Sequence, residues 1–171
     1  MRSICLALIL LVASVAHAEY PTVNLPLPLR QKNWGGGSCV HATLVSLLRW
    51  SGRYNMADYW RRTYGEGEYE SRFAQRLEAN GIRFAQTVGK FDVGFLQWAC
   101  DTRRGAGVTC LGGAHCIALV HLDATWAGVL DNNQVTKIRW IPREKFLKEW
   151  RDSGSWGFAV IYTPAAPLPS R

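Results

Sequence analysis

The sequence predicts an α+β domain, with helices first and a mostly antiparallel sheet after them. Two observations carry this. The first half of the chain places apolar residues at spacings of three and four. The second half replaces that pattern with runs of β-compatible residues joined by short polar turns. A length of 171 residues favours one domain. Hydrophobic residues make up 48% and charged residues 19%, an ordinary globular composition that excludes a disordered chain.

The elements follow in order. "EYPTVNLPLPLR" alternates proline with leucine and predicts an extended lead-in. "NWGGGS" predicts a loop. From Cys39 the spacing of Val40, Leu44, Leu47 and Leu48 predicts a helix, with Ser38 as its N-cap and Gly52 as its stop. "NMADYWRRTYG" predicts a short helix ended by Gly65. "EYESRFAQRLEANG" predicts another, with Phe73 and Leu77 facing inward and Asn80-Gly81 as the stop. "IRFAQT" reads as a strand. "FDVGFLQWACDT" reads as a helix capped by Asp92, with Phe95, Leu96 and Ala99 on its buried side. A polar loop, "DTRRGAGVT", separates Cys100 from Cys110. His115–Leu122 and Trp126–Leu130 form a hairpin around "DAT". "QVTKIRW" is a further strand, "PREKFLKEW" a helix with Pro142 at its first position, and "WGFAVIYT" a final buried strand. "PAAPLPSR" (164–171) is a loose tail.

The first 18 residues, "MRSICLALILLVASVAHA", have one charge, an apolar run from Ile4 to Val15, and small residues at Ala16 and Ala18. The run is short for a bilayer span. The pattern predicts a cleaved secretory signal over 1–18, a single domain over 19–171, and a secreted or periplasmic location. No second long apolar run exists, so no membrane span is expected after cleavage. Export permits disulfides among Cys39, Cys100, Cys110 and Cys116, and a Cys100–Cys110 bridge is expected across the polar loop. The net charge of +7 suits acidic partners such as anionic cell-wall polymers. Basic clusters no longer than Arg61-Arg62 and Arg103-Arg104 argue against nucleic acid.

Cys39 opens a helix behind a glycine loop. A thiol there feels the positive end of the helix dipole, which favours thiolate. The unpaired N–H groups of the first turn can hold an oxyanion. The candidate base is His115, at the start of a strand. His41 lies two residues from Cys39 on the helix and points elsewhere. His121 ends the same strand as His115, about 20 Å further on. Asp131 follows the return strand of the hairpin, so chain reversal brings it back beside His115, where a carboxylate would orient the imidazole. Asn132, its neighbour in the same turn, is the alternative third member.

The order of these residues carries a resemblance. "RQKNWGGGSCVHATLVSLLRWSG" followed by "GAHCIALVHLDATWAGVLDNN" resembles the papain-like cysteine peptidases, and within them the bacteriocin-processing, double-glycine-leader peptidases and their stand-alone secreted relatives. The resemblance implies a papain-like fold and hydrolysis of a peptide bond through a thioester. It implies Cys39 as nucleophile, His115 as base, Asp131 as orienting group and Gln31 as oxyanion donor. Asn33, six residues before Cys39, is the alternative donor. The sequence departs from the family in reading Cys39-Val40-His41, where relatives often read Cys-Gly-Pro. The implied partner is a peptide or protein substrate, and no cofactor is implied. Other readings are an NlpC-like peptidoglycan hydrolase, acyl transfer to an amine, and an inactive papain-like binding module. A metal site from Cys39, His41, Cys110 and His115 does not match the usual zinc spacings.

Overall fold

A computed structural model describes residues 20–162. The signal segment 1–18 and the tail 164–171 lie outside the described residues. The lead-in is extended, broken by one 3-10 turn at Leu27–Leu29. Helix α1 spans Cys39–Trp50, α2 Tyr54–Thr63 and α3 Glu70–Ala79. Strand β1 (Phe84–Thr87) and helix α4 (Val93–Asp101) follow. Then come β2 (Ala106–Cys110), β3 (His115–Leu122), β4 (Trp126–Leu130), β5 (Arg139–Pro142), α5 (Arg143–Asp152) and β6 (Gly157–Val160). The architecture is α+β, as the sequence predicts.

The six strands lie in the order β1-β6-β2-β3-β4-β5, each pair antiparallel. Alternation along β3 divides its side chains between two cores. Cys116, Ala118 and Val120 pack with Leu44, Leu47 and Leu48 of α1 and with Trp60 and Phe73. Ile117 and Leu119 pack on the other face with Leu96 of α4 and Phe146 and Trp150 of α5. The Cys39 helix therefore lies across one face of the sheet, with α4 and α5 covering the opposite face.

Several local expectations are corrected. Ser38 does not cap α1 through its side chain. Its hydroxyl instead donates to Asn33 Oδ1 and accepts from the Trp34 N–H (3.0 Å). Helix α2 stops at Tyr64, which is already extended, one residue before Gly65. Of "QVTKIRW" only Arg139 and Trp140 enter a strand; the preceding residues turn. Pro142 ends β5 and flanks α5 instead of lying inside it.

The segment read as a polar loop contains β2, a fully buried central strand. Gly107 obscured it, and the structure shows why glycine stands there. A Cβ at Gly107 would lie 2.2 Å from the Phe158 ring. The same strand removes the expected Cys100–Cys110 bridge, and all four cysteines among the described residues are free. The chain re-enters near Cys100 at Gly105, whose N–H donates to the Ala99 carbonyl. Strand β2 then carries Cys110 about 13 Å away, beyond disulfide reach.

Candidate active site

Three elements converge on Cys39. Helix α1 presents the thiol at its first position, half-buried, behind the Gly35–Gly37 turn. Strand β3 starts at His115, which is 9% exposed. The β3–β4 hairpin returns the chain so that Asp131 meets His115, with Asp131 Oδ1 3.0 Å from His115 Nε2. The Cys39 thiol and the His115 ring line one cleft. Cys39, His115 and Asp131 thus come together as a chain of neighbours, of which the His115–Asp131 link is a hydrogen bond.

The electrostatics follow from that chain. Burial pushes the Cys39 thiol pKa up, but the His115 hydrogen bond, the backbone N–H groups of Cys116 and Val40 and the His115 charge outweigh it, and the net shift is downward. His115 moves the other way. Its hydrogen bond to Cys39 raises its pKa, burial opposes, and Asp131 adds to the rise. Asp131 is itself disfavoured as an anion by burial, yet the Asn133 N–H (2.9 Å) and His115 hold it below the usual carboxylate range. Opposite shifts on a thiol and an imidazole in contact favour a thiolate–imidazolium pair. The other cysteines are inert by comparison: burial pushes Cys110 up to about 12 and raises Cys100 and Cys116.

Asn132 does not touch His115. It is 2% exposed and turns inward, where its amide donates to the carbonyls of Cys39 (3.0 Å) and Cys116 (2.8 Å) and to Thr43 Oγ1 (3.0 Å). It staples the first turn of α1 to the start of β3, which sets the distance between thiol and imidazole. Asn133 covers the outer side, its amide 3.4 Å from His115 Nε2.

Gln31 is not beside the thiol. Its backbone N–H donates to Ser46 Oγ (2.9 Å), and its side-chain carbonyl accepts from Arg49 (3.1 Å). Arg49 lies in the last turn of α1, about 15 Å along the axis from Cys39. The lead-in runs antiparallel along α1, so eight residues upstream is too far down the helix. Asn33 sits at the right end. Its Oδ1 accepts from Ser38, its amide donates to Asn133 Oδ1 (3.3 Å), and its backbone N–H donates to the Asn132 carbonyl (2.8 Å).

His41 serves the opposite rim of the cleft. It is fully buried; the Trp60 indole donates to its Nδ1 (3.0 Å), so its Nε2 donates to the Glu66 carbonyl (2.8 Å). The Glu66–Glu68 loop is also held by the buried Glu68 carboxylate, 2.6 Å from Arg76 Nε, though that pair is poorly aligned as a hydrogen bond. The loop brings Gly67 against Gly37 so closely that a Cβ on Gly37 would meet the Gly67 nitrogen at 2.5 Å. Sequence reasoning missed Glu68 and Asn133 because neither spacing nor type marks them. Among the described residues no group of three or more His, Cys, Asp or Glu could hold a metal, and no helix is long and apolar enough to cross a membrane.

No protein-family model matches the sequence, and no curated protein matches it. Solved structures do match in shape. A Bacillus anthracis protein assigned as a C39-like peptidase superposes with a TM-score of 0.60 at 15% identity, over 83% of this chain and 96% of that one. A double glycine motif protease from an AMS/PCAT transporter, solved in complex with the leader peptide, gives a TM-score of 0.51 at 13% identity, over 78% and 89%. The fold is papain-like. Within that class it is the fold of the C39-like peptidases.

Proposed function

We propose that the protein is a cysteine peptidase that hydrolyses peptide bonds through Cys39, His115 and Asp131. The observation that supports this best is the convergence at the start of α1 of the Cys39 thiol and His115 in one cleft, with Asp131 3.0 Å from His115 Nε2. The Cys39 thiolate attacks the carbonyl carbon and forms the C–S bond. The oxyanion is received by the Cys39 N–H and by the Asn33 amide, which stands at this end of α1 where Gln31 does not. His115 gives its proton to the departing amine as the C–N bond breaks. Water, deprotonated by His115, then hydrolyses the thioester. Asp131 holds the ring and supports its charged form.

The cleft beside Cys39 is small, about 130 Å³, and its lining includes Gly37, Gly67 and Ala114 as well as Glu68, Thr109 and Trp156. So small a volume suits small residues on the acyl side of the cleaved bond, in keeping with the double glycine motif in the name of one structural neighbour. Export, with residues 1–18 removed, is part of the same proposal.

The test is iodoacetamide labelling across a pH series, with each cysteine mapped by mass spectrometry. Cys39 is expected to react first, well below the ordinary thiol pKa of about 8.5. Peptide cleavage is expected to vanish in Cys39→Ala while the circular dichroism spectrum is retained. Turnover surviving in that variant, or ordinary pH dependence at Cys39, would end the proposal.

A further inference from the structure

A second cavity, of about 400 Å³, begins at His115 and Asp131 and runs away from α1, between the ends of the sheet and α5. It shares Thr109 and His115 with the Cys39 cleft and contains no residue of α1. Its interior is apolar, from Ile117, Trp140, Phe146 and Trp150.

Two carboxylates, Asp131 and Glu149, and two cations, Arg139 and Lys145, line it. Asp131 is committed to His115 (3.0 Å). Glu149 accepts from the Leu111 N–H (2.8 Å). Arg139 and Lys145 are exposed and have no ion-pair partner among the described residues. The cavity therefore offers an apolar interior beside two exposed cations that form no salt bridge among the described residues, and Arg139 also supports the Asp131 anion.

We infer that this cavity binds the leaving-group side of the substrate: a bulky apolar residue directly after the cleaved bond, followed by a carboxylate. The inference rests on the peptidase reading. In that chemistry the acyl part stays on Cys39 while the amine part departs at the group that protonates it. That group is His115, and the cavity opening beside His115 away from α1 is this one. The cleft at Gly37 and Gly67 then holds the acyl part. The two sides differ in size by the volumes above, so the specificity is asymmetric, with small residues before the bond and a large one after it. Arg139 and Lys145 draw the carboxylate, which is either an acidic side chain or the free C-terminus of a short leaving peptide.

The experiment measures kcat/KM by mass spectrometry for peptides with two glycines before the cleaved bond and Phe-Asp, Phe-Lys, Ala-Asp or Ala-Lys after it. Each is made with free and with amidated C-termini. Phe is expected to exceed Ala by roughly tenfold or more. Asp is expected to exceed Lys, and the Arg139→Glu/Lys145→Glu double variant to reverse that order. A gain from the free C-terminus over the amide assigns the carboxylate to the chain end; a gain confined to Asp assigns it to the side chain. Equal rates across the set, or an Asp preference unchanged in the double variant, would overturn the inference while leaving the peptidase standing. Absence of any cleavage that depends on Cys39 would remove both.

Discussion

His41 is a buried histidine behind the cleft, its Nε2 3.9 Å from the buried Glu68 carboxylate, and its effect on stability follows from its surroundings. Burial pushes its pKa down from 6.5 to about 4; the Glu66 carbonyl opposes and Arg76 reinforces the fall. Above pH 6.5 the ring is neutral in both the folded and unfolded chain, so it contributes no pH dependence. As pH falls through 6.5 the unfolded chain takes a proton that the native ring refuses until about 4. Stability is lost across that interval, saturating at about 3 kcal/mol. Between about pH 7.5 and about pH 5 the loss is about 2 kcal/mol. Urea denaturation of the wild type and of His41→Gln at both pH values isolates it, because the glutamine retains a donor and an acceptor but does not titrate. His115 contributes to both proteins, with the opposite sign, and cancels in the comparison. Asp123, held down to about 2 by His121 and two backbone N–H groups, titrates below the window. The two proteins are expected to differ in their pH dependence by about 2 kcal/mol. Parallel loss in both, or an NMR titration placing the His41 ring near 6.5, would refute the reasoning.

Two further predictions bear on the site and on the sheet. Asp131→Asn removes the carboxylate that raises the His115 pKa, so the alkaline limb of the alkylation profile at Cys39 shifts to lower pH; an unchanged profile would show that Asp131 does not act on the ring. Gly107→Ala puts a methyl into the Phe158 ring and is expected to cost about 1–3 kcal/mol in urea denaturation, against a neutral result if β2 can shift away from β6.

Much of this was legible along the chain. The helix at Cys39, the hairpin from His115 to Leu130 and the final strand announce themselves through local periodicity and turn residues, which depend on neighbours a few positions away. The placement of Cys39, His115 and Asp131 also follows from local rules, since a helix start, a strand start and a hairpin return are each features of one short segment. The sequence by itself therefore determined the α+β class and pointed to the three residues that the fold brings together at the candidate site.

Other features needed the third dimension. Strand β2 was hidden because Gly107 answers to Phe158, about fifty residues away in sequence, and not to its own neighbours. Gln31 and Asn33 are two positions apart, yet only the path of the lead-in along α1 decides which one stands near the thiol. Asn132 reads as a turn residue but closes three long-range hydrogen bonds between α1 and β3. Glu68 and His41 have no local signature; burial makes the one a loop anchor and the other a neutral ring. In each case the deciding quantity is desolvation or steric contact between segments remote in sequence. Those are properties of packing, and a linear pattern of residue types does not contain them.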